Sequence, residues 1–143
     1  MSLHRRPLGR DRIAAAISSV LILVGCALPW FRAGGSDGIP PITGNAFAGP
    51  GILVFLAALA TLALVALPYA AGDRPVALDR WWAYATLAIV AAVALVVRVV
   101  AIASEAGGLA AMLPDRAPGL WLAAVGVLGL LFSAADMYGR RRE

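Results

Sequence analysis

Hydrophobic and polar positions in this chain segregate into blocks. Four long apolar runs, at residues 13–31, 51–69, 81–103 and 120–138, are separated by short stretches that hold nearly all the charge. About 20 apolar residues in a helix suffice to cross a hydrocarbon core about 30 Å thick. The pattern therefore predicts an all-α, four-helix transmembrane bundle, up-down-up-down. It forms a single membrane domain over residues 1–143, with exterior loops at 32–50 and 104–119. The third run, WWAYATLAIVAAVALVVRVVAIA, is the longest, and it alone carries a charge deep inside, Arg98.

Composition agrees. The chain is 62% hydrophobic and 14% charged, whereas a soluble domain carries about a quarter charged residues. Four spans leave no room for a separate soluble domain. All twelve basic residues are arginine, a bias that, with the heavy use of Ala, Gly, Val and Leu, suggests a GC-rich bacterial genome.

The distribution of arginines sets orientation. Four lie in residues 1–12, two in 70–80 and three after Gly139, against only Arg32 and Arg116 in the exterior loops. Positive charge stays on the cytoplasmic side, so both termini are expected there, in a multi-pass protein of the bacterial inner membrane. All four Trp and all three Tyr fall at predicted span ends, as amphipathic rings prefer: Trp30 and Trp121 outside, Tyr69, Trp81, Trp82, Tyr84 and Tyr138 inside. A pI of 10.2 invites a nucleic-acid reading, but the arginines cluster beside membrane spans, and no nucleic-acid partner is expected.

Several local signals refine the layout. The first exterior loop, RAGGSDGIPPITGNAFAGP, is rich in turn formers, which forbid a long helix. It reads as a turn-rich cap, or as a small site built from Asp37, Thr43, Asn45 and Phe47. Pro50 suits the start of the second span, Pro68 its end, and Asp79 the N-cap of the third. Residues 109–113 are expected to form one amphipathic turn at the interface. Gly49-Pro50-Gly51-Ile52 and Ala117-Pro118-Gly119-Leu120 mark either a parallel repeat of two hairpins or the separate preference of helix starts for proline. Small residues spaced four apart (Ala14 and Ser18, Ala15 and Ser19, Ala88 and Ala92), with Gly126 and Gly129, favour close helix packing.

Candidate chemistry centres on Arg98. Its Cα lies about 9 Å outward of the span's midpoint, so a long side chain can snorkel to the interface. Three readings stay open: an interfacial anchor, an ion pair with Glu105 (seven residues on, same helix face) or with Asp37 or Asp115, and a contact with an anionic ligand or lipid headgroup. Arg98, Glu105 and Asp37 are the candidate residues for that contact. Asp136 is expected to pair with Arg140 four residues later; a proton relay would need an acid nearer mid-membrane. His4 is alone in the tail. Leu23-Val24-Gly25-Cys26 fits a bacterial lipobox, making Cys26 a candidate for lipidation, or else Gly25 and Cys26 are small packing residues. One Cys and one His cannot build a disulfide or a metal site. Neither a nucleophile–base dyad nor a phosphate-binding glycine loop is present, so no enzyme activity and no cofactor are expected.

The first span ends in Leu28-Pro29-Trp30 and is followed by a Gly-rich exterior loop, three further spans and an Arg-rich tail. In this layout the chain resembles small four-helix membrane proteins of actinobacteria, a group of uncharacterised activity. The small multidrug transporters need a glutamate in the first span, and the quinone-linked disulfide-forming enzymes need paired cysteines; neither is here. The expected role is a non-catalytic accessory or interaction subunit of the cell envelope. Its expected partners are the lipid bilayer and either another protein or further copies of itself. The alternatives are a small oligomeric transporter or channel with Arg98 lining the pathway, and a lipoprotein processed at Cys26.

Overall fold

The computed structural model describes residues 8–72 and 80–140. Its element order is α1 (Arg10–Ala27), β1 (Phe31–Ala33), β2 (Ile42–Gly44), α2 (Gly51–Ala70), α3 (Trp81–Glu105), a 3-10 turn (Leu109–Met112) and α4 (Pro118–Gly139). The four helices form a bundle, and α2, α3 and α4 are each long and apolar enough to cross a membrane.

The first helix departs from expectation. Its opening residues Arg10, Asp11 and Arg12 are charged, and it stops at Ala27 rather than running to Phe31. The apolar helical part, residues 13–27, is about 22 Å long, short of a full span. Pro29 explains the stop, because its ring drives the preceding residue out of the helical region, and Leu28 is extended (φ −87°, ψ 162°).

The Leu28-Pro29-Trp30 corner then joins three elements. Trp30 is fully buried. Its indole N–H donates to the Gly25 carbonyl (2.9 Å) and its backbone N–H to the Gly44 carbonyl (2.7 Å). The Pro29 carbonyl accepts from the N–H of Gly119 in α4 (3.0 Å).

The loop expected to be a cap of turns contains a two-stranded antiparallel ribbon, pairing Phe31 with Gly44, Arg32 with Thr43 and Ala33 with Ile42. Pro50 is the N-cap of α2 and Pro68 lies in its last turn. Arg80 is the N-cap of α3; Asp79 lies outside the described residues. The expected amphipathic turn is the 3-10 turn, which buries Ala111 and Met112 and exposes Leu109.

Packing is inside-out relative to a soluble bundle. Small residues face inward: Ala15, Ser18, Ser19 and Gly25 on α1, Ala88, Ala91 and Ala94 on α3, and Gly119, Ala123 and Gly126 on α4. Large ones face outward: Ile17 and Val24 on α1, Val93, Val96 and Val100 on α3, and Leu128 and Phe132 on α4. In water such faces would be a large liability. In lipid, where backbones associate by close contact, small residues belong between helices. The closest approach joins α1 and α4, which run in opposite directions: a Cβ on Gly25 would sit 2.6 Å from the Ala123 nitrogen, and one on Gly126 2.8 Å from the Ser18 carbonyl. Two buried hydroxyls are satisfied within their own helices, Ser19 donating to the Ala15 carbonyl and Thr61 to that of Ala57, both at 2.8 Å.

Candidate functional site

The ribbon, the 3-10 turn, the C-termini of α1 and α3 and the N-termini of α2 and α4 meet at one end of the bundle. Arg98 belongs to this end. It falls on the inward stripe of α3 with Tyr84, Ala88, Ala91 and Ile102, and only 6% of its surface is exposed. Its guanidinium crosses to the entrance of α2, where Nη1 would lie 3.6 Å from a Cβ on Gly49. The side chain thus snorkels through protein, toward the bundle end and not into lipid.

The electrostatics around Arg98 are unbalanced. Among the described residues its buried Nε has no hydrogen-bond acceptor and its guanidinium forms no ion pair. The ties to Glu105, Asp37 or Asp115 expected as one alternative are not formed. The nearby N-terminus of α2, itself without a side-chain cap, adds a second positive pole. Removing one ion from water costs several kcal/mol unless an opposite charge compensates.

Arg98 lies on the wall of a cavity of about 240 Å³, which the ribbon closes with Phe31, Ala33 and Ile42 and the end of α3 with Ile102, Glu105 and the following Ala106. A second cavity of about 390 Å³ shares Ala33, Glu105 and Ala106 and adds Arg32, Arg116 and backbone at Gly34 and Gly107. Of the candidates for an anionic contact, Arg98 and Glu105 come together here. Asp37 does not: it sits at the exposed ribbon tip in a left-handed conformation (φ 56°) and lines neither cavity. Thr43 pairs with Arg32 in the ribbon, while Asn45 and Phe47 bond to each other locally. Asn45 Oδ1 accepts from the Phe47 backbone N–H (3.1 Å), and the Phe47 ring packs edge-on against Phe55.

Arg32 and Arg116 were not singled out by the sequence as site residues. Their signal was available, since they are the two exceptions to the cytoplasmic bias of the arginines.

A second polar cluster occupies the opposite end. One Arg140 nitrogen lies 3.1 Å from both Asp136 Oδ2 and Asp11 Oδ1, and the Ser133 hydroxyl donates to the Asp11 carbonyl (2.6 Å). The Asp136–Arg140 pair is the one expected; Asp11 is added by the antiparallel contact of α1 with α4. Asp11 precedes the apolar part of α1. Its carboxyl is pushed above the ordinary value, chiefly by desolvation and then by sharing a hydrogen bond with Asp136, while Arg140 opposes the shift. The ring pair of Trp81 and Tyr138 (centroids 4.9 Å apart) ties α3 to α4 at this same end. Cys26 is fully buried in the core, in a continuous helical turn beside Gly25.

No protein-family model, curated protein or solved structure matches the chain.

Proposed function

We propose that this chain is a non-catalytic accessory or interaction protein of the bacterial cell membrane that receives an anionic group at its ribbon end. It is read as up-down-up-down, with both termini in the cytoplasm and the ribbon end outside. The arginine distribution supports this orientation.

One observation carries the reading: Arg98 is a buried cation on a cavity wall with no anionic partner in the described protein. Buried charges are paired or neutralised, so the partner is assigned to something that binds. Transport is less well supported, because the stripe below Arg98 is closed by Ala94 and Ala91, both buried.

The test places a photo-crosslinking amino acid at Ile42, an exposed residue on the cavity rim, in cells. Irradiation followed by intact-mass analysis should give a discrete adduct that is lost when Arg98→Met is added. Absence of any adduct, or one indifferent to Arg98, would refute the reading. Fusions at the two ends reporting opposite compartments would refute the orientation.

A further inference from the structure

We propose that the Arg98 cavity holds the phosphate of an anionic lipid, its glycerol against the apolar wall of Phe31, Ile42 and Ile102 and its head facing Arg32 and Arg116. This names the ligand class of the anion receptor proposed above and rests on that reading.

Charge comes first. Arg32, Arg98 and Arg116 line the two adjoining cavities against a single acid, Glu105, and none of the three arginines forms an ion pair among the described residues. Two positive charges are left in surplus, with the N-terminus of α2 beside them. A guanidinium fork matches the oxygens of phosphate or carboxylate in parallel hydrogen bonds. Phosphate offers more acceptor oxygens to a set of three arginines spread over two cavities.

Shape and polarity make the ligand amphiphilic. The smaller cavity is walled mainly by apolar side chains, and its 240 Å³ equals the liquid volume of about eight waters, more than a phosphate group needs. Ile42, on its rim, is 64% exposed. Ile39, Phe47, Leu109 and Leu113 are also exposed around this end, interleaved with Arg32, Arg116 and Asp115. Such a surface fits the boundary between headgroups and acyl chains.

Depth points the same way. Arg98 lies seven residues, about 10 Å, inside the end of α3, and its guanidinium reaches back to Gly49, just ahead of α2. That is the level of the helix ends, where lipid phosphates lie. A free phosphate ion would use the arginines but not the apolar wall.

The full-length chain is reconstituted in phosphatidylcholine vesicles with a minor share of phosphatidylglycerol, and its retained lipid is read by native mass spectrometry. The expected result is one phosphatidylglycerol retained per chain, weakened at least about thirtyfold by Arg98→Met, since a desolvated charge contact is removed. Arg32→Gln with Arg116→Gln, both at exposed positions that leave folding intact, should weaken it by a smaller factor, under about fivefold per site.

Equal retention of phosphatidylcholine, or retention unchanged in all variants, would overturn the proposal. So would displacement of the lipid by equimolar inorganic phosphate, which would make free phosphate the ligand, or equal retention of laurate, which would make it a carboxylate. A protein adduct at Ile42 without lipid retention would overturn the lipid and leave the receptor reading standing; loss of both would remove both.

Discussion

The contact between α1 and α4 makes a quantitative prediction about glycine. A Cβ on Gly25 would lie 2.6 Å from the Ala123 nitrogen and 2.8 Å from the Gly119 carbonyl oxygen; one on Gly119 would lie 2.6 Å from the Leu28 carbonyl oxygen. The obstructing atoms are backbone, so no rotamer change relieves them, and carbon–oxygen contact normally needs about 3.3 Å or more. The helices must separate by several tenths of an ångström along a seam that also carries Trp30 and the Gly119–Pro29 hydrogen bond. In a helix interior, Gly→Ala gains about 1 kcal/mol from propensity, while overpacking costs about 1–3 kcal/mol and more against backbone. Gly25→Ala should therefore destabilise by about 1–2 kcal/mol net. Gly139→Ala, which meets nothing within 4 Å, should be neutral or slightly stabilising. Because Gly25 and Gly119 face each other, the double substitution should cost less than the sum of the singles, the helices having already moved apart. Unfolding in mixed micelles, followed by far-ultraviolet circular dichroism, measures all four variants. If Gly25→Ala is as stable as Gly139→Ala, the close helix contact is wrong.

Three further outcomes follow from other sites. Asp11 holds its proton more tightly folded than unfolded, so the native state binds more protons above the ordinary value of 3.8. Stability should fall as pH rises from 3.8 through the folded value, and Asp11→Asn should flatten that slope in pH-dependent unfolding. Trp30→Phe removes the indole bond to the Gly25 carbonyl, which keeps only the longer bond from the Leu28 N–H (3.3 Å), a loss of about 1 kcal/mol readable in the same unfolding assay. Cys26, fully buried, should resist maleimide in native membranes and react after denaturation, with the intact mass retaining residues 1–25; a lipidated mass lacking them would show processing instead.

Much of the architecture was legible because the apolar blocks are long. The second, third and fourth runs agree with α2, α3 and α4 to within two residues at each end. The first was overrun because hydropathy alone treats Leu28, Trp30 and Phe31 as span, although the conformational effect of Pro29 was present in the sequence. The ribbon was missed for a different reason: FRA and ITG are three residues each, too short for alternation to stand out. For Arg98 the face was readable, since β-branched Val93, Val96 and Val100 fall on one side of α3 and Ala88, Ala91 and Arg98 on the other. The company of Arg32 and Arg116 was not, because it depends on how the ribbon and the 3-10 turn fold over the helix ends. The addition of Asp11 to the Asp136–Arg140 pair is likewise purely tertiary.

The most direct test of the account is the unfolding free energy of Arg98→Met in purely zwitterionic lipid. Replacing an uncompensated buried charge by an apolar side chain of similar length should leave the protein as stable as before or stabilise it by about 1–4 kcal/mol. A loss of about 3 kcal/mol or more, the cost of breaking a buried pair, would mean that Arg98 is compensated within the protein and is not waiting for an anion.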